Sequence, residues 1–182
     1  MNQLTFDPFP ALSTERLSLR KLDLHDADII FNYQSNKENF KYVDMPVYTR
    51  LEEAKNYITR MNEGVSNNKW MIWAIAEKST GEILGTISIW NISIEQKKAE
   101  LGYGLYPGNI GKGIMSEALE IVTAYGFNEM NLKTLEAYTS SENYPSIALL
   151  ERNQFSKASS IVEKASNGDS VKIYIYSRDS SD

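Results

Sequence analysis

Two periods of apolar residues alternate along this chain, and their succession predicts its elements. Residues 1–13 hold two prolines and no clear period, so they read as an arm. Leu17-Ser-Leu-Arg-Lys-Leu22 alternates and reads as a first strand. Asp23 and Asp26 resemble a capping pair, and Ala27, Ile30 and Phe31 follow at helical spacing. Thr49-Arg-Leu-Glu52 is a cleaner capping box, and Ala54, Tyr57, Ile58 and Met61 carry a second helix to about Glu63. Trp70–Glu77 and Ile83–Trp90 are rich in aromatic and β-branched residues and form a hairpin turned at Ser79-Thr80-Gly81. A strand over 99–106, with Ala99, Leu101, Tyr103 and Leu105 on one side, joins the same meander and stops at Pro107.

Beyond a glycine-rich loop, Ile114, Ala118, Ile121, Val122 and Tyr125 form one stripe of a third helix spanning about Gly111 to Asn128. A short strand (Leu135–Tyr138), a short helix (Pro145–Arg152) and two strands joined at Ser166-Asn-Gly-Asp169 follow, with a frayed end over 179–182. The order β-α-α-β-β-β-α-β-α-β-β predicts a single α+β domain over residues 1–182. Its mixed, mostly antiparallel sheet has about seven strands flanked by about four helices. A dinucleotide-binding fold places its glycine loop after the first strand, whereas here the loop follows the fourth.

Composition narrows the chemistry by exclusion. The chain has no cysteine, which removes disulfides, thiolate metal sites and a cysteine nucleophile. With one histidine, His25, a multi-histidine metal centre is excluded; its setting in Asp-Leu-His-Asp-Ala reads as an exposed first helical turn. No metal is therefore expected. The 19 basic and 24 acidic residues give a net charge of −5, which argues against general nucleic-acid binding and suits a basic substrate such as an amine. No apolar run approaches the roughly 18 residues of a membrane helix, and the first residues lack the basic and apolar regions of a signal peptide. A cytoplasmic protein with no membrane partner is expected, as a monomer or homodimer.

The richest segment is the strand, loop and helix over 99–119. Glycine lets the backbone approach a ligand, free N–H groups point outward at a helix start, and the helix dipole favours negative charge. This is a recipe for holding a phosphate-bearing ligand. Gly108-Asn-Ile-Gly-Lys-Gly-Ile-Met-Ser116 does not make a Walker A loop, because Ile114-Met115 follows where Lys-Ser/Thr is needed. It fails Gly-x-Gly-x-x-Gly as well, because Ser116 fills the last position. A plain glycine turn that merely starts a helix remains the bland reading.

Four segments in order give the loop a more specific meaning. Thr14-Glu-Arg-Leu-Ser-Leu-Arg20, Ile83-Leu-Gly-Thr-Ile-Ser-Ile89, Glu100-Leu-Gly-Tyr103 with Gly111-Lys-Gly-Ile-Met-Ser-Glu-Ala118, and Asn143-Tyr-Pro-Ser-Ile-Ala-Leu-Leu-Glu151 with Phe155 together resemble the GNAT N-acetyltransferase superfamily. Within it they are similar to the RimJ/RimL-type branch of ribosomal-protein N-terminal acetyltransferases. The family loop Gln/Arg-x-x-Gly-x-Gly/Ala falls on Gly108 to Gly113. Two positions depart from the pattern: Gly108 replaces the Gln/Arg, and Gln154 replaces the glycine usual before Phe155.

The resemblance implies acetyl-CoA as cosubstrate and a primary amine as acceptor, with a peptide N-terminus favoured over a small amine. It implies that backbone groups of Ile110, Gly111, Lys112, Gly113, Ile114, Met115 and Ser116 hold the diphosphate, with Lys112 either adding charge or standing solvated. The strand around Gly104 to Tyr106, including Leu105, is expected to splay from its neighbour and offer unpaired groups to the pantetheine amides. Asn143 bonds the pantetheine arm, caps a helix, or does both. Direct attack by a neutral amine needs a base, since an amine near neutral pH is mostly protonated. Glu100 is the candidate, against a plain solvent-facing carboxylate; Glu117 reads as structural and stands next in line. The tyrosine that many relatives use as general acid corresponds to Leu150, so Ser146 is expected at the coenzyme sulfur, with Tyr144 as fallback. Trp90 and Tyr103 are core residues or line an acceptor groove. A coenzyme A-binding module without turnover and a nucleotide-binding protein are the competing functions.

Overall fold

Strand-forming runs long enough to be buried on both faces demand helices on both sides, and the chain supplies them. The computed structural model describes residues 4–181. Its strands are β1 (Leu12–Ser13), β2 (Leu17–Arg20), β3 (Met71–Glu77), β4 (Ile83–Ser93), β5 (Lys98–Leu105), β6 (Thr134–Ser140), β7 (Ser156–Lys164) and β8 (Ser170–Asp179). Its helices are α1 (Ala27–Gln34), α2 (Leu51–Ser66), α3 (Ile114–Asn128) and α4 (Tyr144–Arg152), with 3-10 turns at Leu24–Asp26 and Lys37–Phe40. The strands lie in the order β1-β2-β3-β4-β5-β6-β8-β7. Every neighbouring pair is antiparallel except β5 and β6.

This is the expected α+β architecture with one strand more. The addition, β1, is two residues long and sits inside the N-terminal arm, where alternation has no room to show. The arm itself is packed: Phe6 is buried, and Trp73 Nε1 donates to Pro10 O at 2.7 Å. At the other end pairing continues into the segment expected to fray. Asp179 opposes Thr134, and Ser180 N donates to Lys133 O at 2.9 Å. The parts of the arm and the tail at residues 1–3 and 182 lie outside the described residues.

Register assigns the side chains to faces, because Cα partners project to the same side. Trp73, Ile87 and Tyr103 are partners in turn and share one face. Helix α3 covers it: a Cβ on Gly126 would meet Leu135 and Ile89, and Tyr125 packs edge-on to Trp73 at 5.4 Å. Helix α1 lies on the opposite face, where Tyr33 Oη comes within 3.7 Å of the place a Gly104 Cβ would occupy.

Local chemistry moves two predicted helix starts. Arg50, rather than Thr49, is the N-cap of α2, so Glu53 and not Glu52 turns back to accept from Thr49 N at 2.8 Å and Arg50 N at 2.9 Å. Helix α3 begins at Ile114 rather than Gly111, because Gly111 and Gly113 take left-handed φ values of +82° and +74°. The Asp23–Asp26 pair does cap its turn, and Arg20 binds Asp26 with both terminal nitrogens at 2.8 and 2.9 Å. His25 is exposed, as its setting predicts.

Candidate active site

The loop after β5 is shaped by glycine and pinned from outside. Tyr106 N closes the strand by donating to Leu84 O at 2.8 Å, so this N–H is occupied and its ring is buried against Tyr33. Gly113 is the N-cap of α3, and the first helical bond runs from Glu117 N to Gly113 O at 3.2 Å. Among the described residues, the N–H groups of Ile110, Gly111, Gly113, Ile114, Met115 and Ser116 meet no acceptor in the chain. Those at the head of the helix are the donors that every helix leaves unpaired, and the dipole there favours an anion. Lys112 is exposed, and no carboxylate pairs with its side chain among the described residues. Ser116 Oγ accepts from Asn153 Nδ2 at 2.9 Å, which ties the first turn of α3 to the end of α4.

Three residues outside the loop hold it. Arg16 Nη2 donates to Lys112 O at 2.8 Å, and Arg16 Nε donates to Glu117 Oε2 at 2.6 Å. Glu117 Oε1 accepts from the Thr14 hydroxyl, which itself accepts from Leu17 N at 2.9 Å. Burial alone would raise the Glu117 pKa, but the Thr14 hydroxyl and the Arg16 guanidinium outweigh it and hold the carboxyl below its ordinary range. Glu117 is thus a strut between the β1–β2 turn and α3.

β5 and β6 part company before either strand ends. They pair in parallel from Lys98–Thr134 to Leu101–Ala137 and no further. Beyond that point β5 stays paired with β4 as far as Leu105, and β6 stays paired with β8 as far as Ser140. Gly102 to Leu105 therefore border a wedge, which opens two residues earlier than expected. Tyr106 N points to β4, so alternation turns the backbone groups of Leu105 and Tyr103 toward the wedge.

Glu100 sits two residues before the wedge opens, on the face of α1. Its register partners are Trp90 on β4 and Glu136 on β6. Asn91 Nδ2 donates to Glu100 Oε1 at 2.6 Å, while Lys98 Nζ pairs with Glu136 Oε1 at 2.7 Å and Tyr138 Oη donates to Glu136 Oε2 at 3.3 Å. Two carboxylates thus stand side by side, with the lysine on Glu136. Glu136 and Tyr138 escaped the sequence reading, because their strand was placed but its register against β5 was not. Trp90 is 47% exposed on this same face. Tyr103 is on the other, so the two aromatics do not line one groove.

Across the wedge, Asn143 caps α4: its Oδ1 accepts from Ser146 N at 3.2 Å. Its Nδ2 has no partner among the described residues. Ser146 Oγ lies 2.7 Å from Tyr103 Oη, a contact that strand and helix assignments could not foretell. Burial pushes the Tyr103 phenol up to about 12, against a smaller lowering by Ser146. Leu150 is fully buried, so the usual tyrosine position is core here, and Tyr144 is exposed to solvent. Gln154 takes φ +68°, which keeps the left-handed turn that a glycine would make.

Residues 16–156 match the Acetyltransferase (GNAT) domain family, so the chain belongs to the GNAT acetyltransferases. It is 37% identical over 168 residues to p20 of Bacillus licheniformis, described as an uncharacterized N-acetyltransferase, covering 91% of this chain and 94% of that one. Among solved structures, RimL, the ribosomal L7/L12 alpha-N-protein acetyltransferase in complex with coenzyme A, has a TM-score of 0.82 at 22% identity, covering 93% of this chain and 98% of that one. The microcin C7 self-immunity acetyltransferase MccE, in complex with acetyl-CoA and AMP, also has a TM-score of 0.82, at 23% identity, covering 92% and 94%. The chain is an acetyl-CoA-dependent N-acetyltransferase, and the nucleotide-binding and turnover-free readings are not favoured. Among the described residues no helix is long and apolar enough to cross a membrane, and no group of acidic or histidine side chains could hold a metal.

Proposed function

We propose that this enzyme acetylates a primary amine entering over the Trp90–Glu100 face, and that a peptide α-amine is the favoured acceptor. The unpaired N–H groups between Ile110 and Ser116 suit a diphosphate, the open edge at Tyr103 and Leu105 suits a pantetheine amide, and the spare Asn143 Nδ2 suits the carbonyl of another. Bound acetyl-CoA supplies the activated acetyl group. Glu100 takes the proton from the incoming ammonium, directly or through water, so that the amine is neutral when it attacks. An N–H on the wedge edge of β5 is placed to polarise the acetyl carbonyl.

One observation carries this reading: Glu100 lies at the point where β5 and β6 separate, on the face opposite α3, beside exposed Trp90. A carboxylate there attracts a cationic amine and stands at the far end of the wedge from the diphosphate loop. Exposed Val43, Met45 and Val47 in the segment between α1 and α2 add apolar surface suited to the side chains of an extended peptide. A thiol-release screen over N-terminal peptides, polyamines and aminoglycosides tests it. Peptides are expected to give the highest kcat/KM; a polyamine or aminoglycoside outpacing every peptide would overturn the acceptor assignment.

A further inference from the structure

The wedge has a second side-chain bridge that the acceptor face does not use. Tyr103 reaches from the unpaired part of β5 to Ser146 in the first turn of α4, with 2.7 Å between the hydroxyls. Ser146 N is already spent on Asn143 Oδ1, so only its hydroxyl remains for chemistry. We infer that Tyr103 is a positioning residue that donates its phenolic proton to Ser146 Oγ and so frees the serine's own O–H to donate into the wedge, to the sulfur that leaves when the acetyl group is transferred. This rests on the proposed acetyl transfer and deepens it.

Hydrogen-bond chemistry sets the direction. A phenol is the better donor and an aliphatic hydroxyl the better acceptor, and a hydroxyl that accepts from one side has its own proton available for the other. Burial makes the phenol hold its proton, with a pKa near 12, whereas an ordinary thiol titrates near ~8.5. Net proton transfer from Tyr103 to the sulfur is therefore uphill. The balance is this: the carbon–nitrogen bond forms and the carbon–sulfur bond breaks. The electron pair leaves on sulfur, one ammonium proton goes to Glu100 or water before attack, a second leaves the nitrogen to water once the carbon–nitrogen bond has formed, and solvent later protonates the thiolate. Until then the thiolate accepts from Ser146, at the N-terminal end of a nine-residue helix whose dipole favours negative charge. The arrangement replaces a tyrosine acid at the buried Leu150 position with a hydrogen bond that stabilises the anion instead of protonating it.

The test uses full-length protein with coenzyme A as the probe, and Tyr103→Phe, Ser146→Ala and the double variant. Ultraviolet titration of the bound thiol is expected to give a thiolate fraction roughly tenfold lower in either single variant than in wild type, within the range of one hydrogen bond to an ion. The double variant should be no worse than Ser146→Ala, because Tyr103 acts through the serine. kcat should fall by a similar factor with KM for acetyl-CoA unchanged. Equal acidity of the bound thiol in wild type and Tyr103→Phe would overturn the inference, as would a change in KM alone or additive losses in the double variant. These failures are distinct from failure of the proposed function, which a wild type that turns over no amine would show.

Discussion

The two sides of the wedge are built from different materials. On the proposed diphosphate side the candidate groups are backbone N–H, and the side chains around them (Thr14, Arg16, Glu117, Asn153) fix the loop to the β1–β2 turn and α4. On the proposed acceptor side the candidate groups are the side chains themselves: Glu100, Trp90, Glu136 and Tyr138, with Trp90 47% exposed. A backbone site tolerates many sequences provided its φ angles are kept, and so it can be shared by a family. A side-chain site changes with each substitution, and so acceptor choice is free to vary over a constant cofactor cradle.

The sharpest way to break the comparison is to damage each side alone. Gly113→Val puts a β-branched residue at φ +74°, with its Cβ 3.3 Å from Arg16 Nη2. Affinity for coenzyme A should drop by about 100-fold or beyond detection in a protein that still folds; calorimetric affinity near wild type would remove the loop from the site. Glu100→Gln should do the converse. It keeps the Asn91 contact but cannot take a proton, so turnover should fall by about 100-fold while coenzyme A affinity stays within a factor of ~2. A rate like that of wild type would pass the role to water.

A smaller effect is expected where the strut meets the loop. Glu117 is held ionised below its ordinary range, so its contribution is present above the unfolded carboxylate pKa and is lost as pH falls through the lower folded value. Glu117→Gln should cost about 1 kcal/mol of stability near neutral pH, since the pair is only partly buried. Acid melts should show the gap between variant and wild type closing as the wild type protonates. A gap that persists unchanged into acid would mean that packing, and not the ionised strut, carries the effect.

The contrast also explains what could be read in advance. Alternation and caps are local, and so the hairpin of β3 and β4, the stop at Pro107 and the Asp23–Asp26 cap were legible in the sequence. The loop was legible because left-handed turns demand glycine at Gly111 and Gly113. Register between β5 and β6 is not local: it joins residues 36 apart, as in Glu100–Glu136, and no period in either strand encodes it. The acidic pair depends on that pairing, the separation of Trp90 from Tyr103 on the register of β4 against β5, and the Tyr103–Ser146 bridge on how α4 packs beside β5. Even the capping box of α2 shifted by one residue because both Glu52 and Glu53 are present and only the turn geometry selects between them.

Gln154 offers the finest test, because it departs from the family pattern without departing from its geometry. Asn68, Asn91 and Asn131 also have positive φ, and asparagine accepts that region more readily than most residues. Glutamine has no such aptitude, yet Gln154 holds φ +68° between the C-cap of α4 and buried Phe155, with Gln154 N donating to Glu151 O at 3.2 Å. Its side chain is exposed, so little packing is at stake. Relief of the Cβ clash favours glycine by about 1–2 kcal/mol, and the freer unfolded chain takes back about 0.4–1 kcal/mol. Gln154→Gly should therefore raise stability by about 0.5–1 kcal/mol, a rise in melting temperature of about 1–4 °C, with coenzyme A affinity unchanged. A variant that melts lower would show that the glutamine makes a stabilising contact, and that the turn is held by more than its backbone.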